Sequence, residues 1–143
     1  MAGDKTQVPS GFGPHYKKSG FTAPFEPLYS RTTDSQVQMG VVLHDGHCNS
    51  RGFVHGGFLA ALADNATGLC CGKALLDNGR EVGNLFTTNL SIDYVGRAAV
   101  GEWIETDTTV IKAGRTLSVA SCLIRSGSGT VIARINATFQ NVT

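Results

Sequence analysis

The stretch NSRGFVHGGFLAALADNA, residues 49–66, sets two adjacent glycines before a run of apolar and small residues that contains one charge. The α period predicts a helix over about 57–74 and puts Phe58, Leu59, Leu62, Ala66, Leu69 and Cys70 on one arc, expected to pack on a sheet. Asp64 falls on the opposite side, beside Ala60, Ala61, Thr67, Gly68 and Cys71, and is the only charge from Phe58 to Cys71. A water-facing side would carry Lys and Glu. A helix that is apolar or small nearly all round is usually covered on more than one face, so a second subunit is expected over the Asp64 side. The plain reading of Asp64 is an exposed acid or an interface polar contact; the functional one is a carboxylate kept in a low-charge surround because something uses it.

At the helix entrance, His55-Gly56-Gly57 lets a ligand approach the backbone closely. The first N–H groups of a helix have no intrahelical partner and point outward at the positive end of the dipole, which is the geometry of an oxyanion hole. Asp64 lies roughly 10 to 12 Å further along the axis, so the two groups do not reach one carbonyl from one chain. A second copy bringing its own Asp64 across a two-fold interface would join them, which makes oligomerisation part of the expected chemistry.

Working outward, 143 residues with 41% hydrophobic and 16% charged residues fit one globular domain. Twelve Lys and Arg against eleven Asp and Glu leave a net charge of +1, so no field of one sign attracts nucleic acid or an anionic membrane. Residues 1–25 are rich in Gly and Pro and read as an arm, with Phe12, Tyr16, Phe21 and Phe25 as its anchors; residues 26–143 form the domain. A first strand is predicted over 36–43, and further strands over 85–95, 102–112, 116–125 and 131–140, rich in Thr, Ile and Val. The breaks between the last four are hairpin-sized, so the strands are expected to be antiparallel, giving an α+β domain of two layers. Cys48, Cys70, Cys71 and Cys122 show no C-x-x-C spacing and read as small buried residues. The opening MAGDKTQV lacks an apolar leader region, and the longest apolar run, 58–63, is too short to span a bilayer, so a cytoplasmic protein is expected.

Residues 49–66 resemble the signature of the hotdog-fold acyl-CoA thioesterases, specifically the phenylacetic-acid-degradation (PaaI-like) type. LSIDY at 90–94 and KAGRT at 112–116 follow in family order, and the likeness extends over about 36–140. The resemblance implies a hotdog fold, one long helix wrapped by an antiparallel sheet, that hydrolyses an acyl-CoA ester with no cofactor beyond the coenzyme A of the substrate. It also implies a homo-oligomer, a dimer of dimers with sites between subunits. Gly56 looks like the glycine whose N–H binds the thioester oxygen, with Asn49 orienting the thioester and His55 as a clamp or contact beside it. Asp64 matches the acid that attacks the carbonyl or activates a water. Thr87, seven residues before Tyr94, matches the hydroxyl residue that positions that water, with Thr88 as a fallback. Tyr94 and the segment Lys112, Ala113, Gly114, Arg115, Thr116 and Leu117 match segments that hold coenzyme A, the two cations suiting its phosphates.

Competing readings are weaker. His44, His47, Cys48 and His55 crowd one loop, but their spacing enforces no tetrahedral site, and no metal is expected. A thioester hydratase would need a His base paired with an acid in the active-site loop, whereas here the acid is on the helix. A non-catalytic acyl-CoA-binding protein is the main alternative, and Asp64 counts against it. With no helix-turn-helix pattern or basic stripe, a nucleic-acid partner is not expected either.

Overall fold

The computed structural model describes residues 8–143. One helix, α1 (Gly56–Asp77), lies against a seven-stranded antiparallel sheet made of β1 (Gly13–Pro14), β2 (Tyr29–Thr32), β3 (Val37–Val42), β4 (Asn84–Tyr94), β5 (Trp103–Ala113), β6 (Leu117–Ser126) and β7 (Val131–Val142). The spatial order is β1-β2-β3-β5-β6-β7-β4. This is the hotdog arrangement. The four long strands lie within two residues of the ranges read from the sequence, because Thr- and Val-rich alternation bounded by Gly-containing turns is a strong strand signal. At the β5–β6 turn the Gly114 N–H donates to the Leu117 carbonyl at 3.0 Å, and a Cβ at Gly114 would meet that oxygen at 2.6 Å, so the turn closes only with glycine.

The strand expected first is third. Its two predecessors come from the Gly- and Pro-rich segment and the residues just after it: two residues suffice for an edge strand, where proline is tolerated, and β1 pairs Gly13 with Ser30 and Pro14 with Tyr29. Of the arm, residues 1–7 lie outside the described residues. From residue 8 onward the segment is packed: Phe12 meets Trp103 edge-on at 5.0 Å with the Arg31 guanidinium over its other side, and Phe25 packs on Phe58 at 5.0 Å.

The core lies between α1 and the curled sheet, with Met39, Val41, Ile104, Ile124, Ile132 and Ile135 from the strands facing Leu59, Leu62, Ala63 and Ala66. The buried arc of the helix is rotated from the one the α period suggests. Thr67 and Cys71, expected beside Asp64, are fully buried, while Leu69 is only partly so. The reason is the curl of the sheet: Cys71 packs on Ala120, Ala137 and Phe139 of β6 and β7, and Thr67 returns its hydroxyl to the Ala63 carbonyl at 2.7 Å. What stays open is a narrow strip of small residues: Ala60, Ala61, Asp64, Asn65, Gly68 and Gly72. Beside it runs β4, which pairs only with β7 and presents its other edge unpaired among the described residues. No described helix is long and apolar enough to cross a membrane.

Candidate active site

Asp64 projects from the open strip halfway along the helix, and the Thr87 hydroxyl on β4 donates to its Oδ1 at 2.6 Å. A bulge in β4 sets this contact. Thr87 pairs with Phe139 and Asn89 with Thr138, leaving Thr88 as the extra residue between them. Thr88 spends its hydroxyl on the Thr138 carbonyl at 3.1 Å, so only Thr87 is joined to the acid and the fallback is not. The hydroxyl proton of Thr87 is committed to Asp64, which leaves the oxygen's lone pairs to accept from a water.

The helix entrance is capped by the residue expected there. His55 Nδ1 accepts from the Gly57 N–H at 2.8 Å, and the Phe58 and Leu59 amides both reach the His55 carbonyl. The Gly56 N–H has no partner among the described residues. Tyr94, at the far end of β4, donates its hydroxyl to the Gly56 carbonyl at 2.9 Å, and a Cβ at Gly56 would lie 3.1 Å from its ring. Tyr94, matched with coenzyme A, therefore stands at the entrance and braces it. Asn49 holds the loop in front: its Oδ1 accepts from the Arg51 and Phe53 amides at 2.9 and 3.2 Å, leaving its NH2 as the donor without a partner among the described residues.

His44 and His47 stack at 3.8 Å, and each ring nitrogen meets backbone. Nδ1 of His44 accepts from Gly46 and Nδ1 of His47 from the His44 amide, while the Nε2 atoms meet the Glu26 and Phe25 carbonyls at 3.2 and 2.7 Å. Burial, with the neighbouring His44, keeps the His47 pKa below the ordinary imidazole value against the pull of the Phe25 carbonyl. The pair is a latch between the loop and the start of the domain.

The segment 112–117 forms the β5–β6 hairpin, pinned where Asn141 gives its N–H to the Thr116 carbonyl at 2.9 Å and its side-chain NH2 to the Arg115 carbonyl at 3.3 Å. Leu117 pairs with Gln140, which pairs with Phe86, so the hairpin tip is two strands from β4, about 10 Å, at the level of Leu85 to Thr87. Lys112 and Arg115 are exposed and form no ion pair among the described residues.

Two grooves meet at Asp64, Asn65 and Thr87. One, of about 520 Å³, runs toward the helix N-terminus over Gly57, Ala60, Ala61 and Leu90. The other, of about 710 Å³, runs the opposite way past Gly68, Gly72, Lys73 and Phe86. Of the residues at these grooves, Tyr16 and Phe21 are aromatic anchors of the arm in the sequence reading and Leu90 opens LSIDY, whereas Asn65 carries no sequence signal of its own.

Residues 51–133 match the model of the thioesterase superfamily, a span that contains Gly56, Asp64, Thr87, Tyr94 and the hairpin and leaves out Asn49. The chain belongs to the thioesterase superfamily. Consistent with that membership, it is 37% identical over 122 residues to a candidate esterase of Pseudomonas aeruginosa, covering 84% of this chain and 87% of the relative. Among solved structures, zebrafish thioesterase superfamily member 2 superposes with a TM-score of 0.76 at 24% identity, over 87% of this chain and 88% of that one. A Streptococcus mutans protein bound to acetyl CoA superposes with a TM-score of 0.72 at 22% identity, over 82% and 90%. Both share the hotdog fold. As a superfamily member the chain is a thioester hydrolase, with a carboxylate and an open helix N-terminus available for that chemistry.

Proposed function

We propose that the protein hydrolyses acyl-CoA esters to the free acid and coenzyme A, with Asp64 driving the attack and Gly56 holding the oxygen. The observation that carries this reading is the 2.6 Å Thr87–Asp64 hydrogen bond at a strand bulge, where two grooves of about 520 and 710 Å³ meet. Thr87 fixes one carboxylate oxygen and leaves the other to take a proton from water, whose oxygen adds to the thioester carbon. The carbonyl oxygen becomes an oxyanion, to which the Gly56 N–H donates, with help from the helix dipole. The C–S bond then breaks, and the departing thiolate takes up the proton from Asp64, which restores the carboxylate. Direct attack by Asp64, through an anhydride that water then opens, uses the same atoms. No metal or organic cofactor is needed for either route.

Eight residues of helix put Gly56 about 12 Å from Asp64 along the axis, too far for one carbonyl, so the Gly56 that serves each Asp64 comes from a second copy. The open small-residue strip and the unpaired edge of β4 are the surfaces suited to that copy, within a homodimer or dimer of dimers. Lys112 and Arg115, level with Asp64, suit the phosphates of coenzyme A. The bound acetyl CoA of the Streptococcus mutans neighbour supports this ligand class. Thiol release measured across short, branched, aromatic and long acyl-CoA esters tests the reading, and Asp64→Asn is expected to abolish turnover while leaving ester binding measurable by calorimetry. Binding with no hydrolysis of any ester by the unaltered protein would instead make it a carrier or sensor.

A further inference from the structure

A second copy that serves Asp64 with its own Gly56 is fixed by that requirement in direction and in register. A two-fold axis along α1 would set equal positions level and leave Gly56 about 12 Å from the Asp64 it serves, so the axis runs across the helix and the two helices are antiparallel. Ala60 stands four residues from Gly56 and four from Asp64, and so meets its own counterpart on the axis. The strand agrees. Thr87 is bonded to Asp64 and Tyr94 to Gly56, which by the same symmetry centres β4 between Leu90 and Ser91. Leu90 borders the groove floored by Gly57, Ala60 and Ala61, so helix and strand put the axis at one place, where small side chains let two backbones approach.

One step beyond Asp64 is Asn65, which in this register lies level with His55 of the partner subunit. Asn65 is half-buried, borders both grooves with Asp64 and Thr87, and is the one neutral polar side chain of the open strip. Its amide has no hydrogen-bond partner among the described residues. Covered by a second copy it needs one, because a buried amide left unpaired costs more than a made bond returns. His55 offers the match. Its Nδ1 accepts from the Gly57 N–H at 2.8 Å, so the neutral ring carries its proton on Nε2; the residue is exposed, and Nε2 has no partner among the described residues.

We infer that Asn65 is a positioning residue of the shared site: its side-chain oxygen accepts from Nε2 of His55 of the partner subunit, which holds that ring on the Gly57 N–H and keeps the adjacent Gly56 N–H free for the substrate oxygen. The inference rests on the shared-site reading above, and two measurements separate them. In the first, Asn65→Cys and His55→Cys chains with different tags are co-expressed and oxidised. A disulfide joining the two tags is expected, and none from either variant alone, because like positions lie about 15 Å apart along the axis, beyond disulfide reach. In the second, Asn65→Ala is expected to lower kcat about threefold to tenfold with KM nearly unchanged, the worth of one neutral hydrogen bond. In a His55→Asn background, which keeps a cap for Gly57 and removes Nε2, the same change is expected to cost less than about twofold. An equal loss in both backgrounds would show that Asn65 does not act through His55, and the inference falls while the hydrolase reading stands. An active hybrid that forms no cross-link overturns the register and the inference with it. If the unaltered protein hydrolyses no acyl-CoA ester, the acyl-CoA reading falls and takes the positioning role with it, whatever the cross-link shows.

Discussion

The helix entrance at Gly56 is made of backbone, whereas the centre at Asp64 is made of two side chains from two different elements. At the entrance the donor is an amide, so the only way to harm it by substitution is to crowd it: the Tyr94 ring lies where a Cβ would project. At the centre everything depends on functional groups. A one-residue bulge decides that Thr87 and not Thr88 meets the carboxylate. The two halves also differ in what supports them, since His55, Asn49 and Tyr94 serve the entrance, and the bulge of β4 serves the centre. In the proposed shared site the two halves, about 12 Å apart on one chain, come from two copies, so each half can be broken separately.

The largest effect is expected at the centre. Asp64→Asn keeps the shape and removes the base, so kcat is expected to fall about 10² to 10⁴-fold with ester binding retained, read by steady-state kinetics alongside calorimetry. An unchanged kcat would make the carboxylate structural. Next comes the entrance, where Gly56→Ala is expected to lower kcat about 10²-fold, the scale of losing one oxyanion donor. Adding Tyr94→Ala clears the space, and partial recovery in the double variant would show that crowding was the fault. Thr87→Ala is expected to cost about tenfold, the worth of a hydrogen bond to a charged group, while Thr88→Ala stays within about twofold. Equal effects from the two threonines would contradict the role given to the bulge. Lys112→Ala and Arg115→Ala are expected to raise KM several-fold with kcat nearly unchanged, an effect that added salt mimics.

Much of this was legible in the sequence, and unevenly so. The glycine pair, the solitary acid and the Thr-rich alternation point to helix entrance, centre and sheet, and the strands fall where expected. The buried arc of the helix was misread at Thr67 and Cys71 because a wheel assumes one flat neighbour, and this sheet curls around two sides. β1 was invisible because two residues leave no periodicity. Thr87 was distinguishable from Thr88 only through the family resemblance, since both are ordinary strand residues and a bulge has no signature here.

The smallest expected effect sharpens the account of the arm. His15 is 1% exposed and neither ring nitrogen has a partner among the described residues; burial, followed by the nearby Lys18, holds its pKa below the ordinary value. The unfolded chain therefore takes up the proton first as pH falls. This site's contribution to stability is complete above about pH 6.5 and is lost as the solution is acidified below it. His15→Leu removes both the orphaned nitrogens and the titration, and is expected to stabilise by about 1 kcal/mol, with a shallower fall in melting temperature as pH drops below about 6.5.

The central claim is that Gly56 and Asp64 of one site belong to different copies, and complementation tests it most directly. Asp64→Asn and Gly56→Ala chains, each nearly inactive alone, are co-expressed with separate tags, and the hybrid is isolated. In a shared site the hybrid holds one centre with both substitutions and one with neither, so the isolated hybrid is expected to regain about half of normal activity, and an unfractionated random mixture about a quarter. A purified hybrid that stays as inactive as its parents would show that each chain builds its site alone.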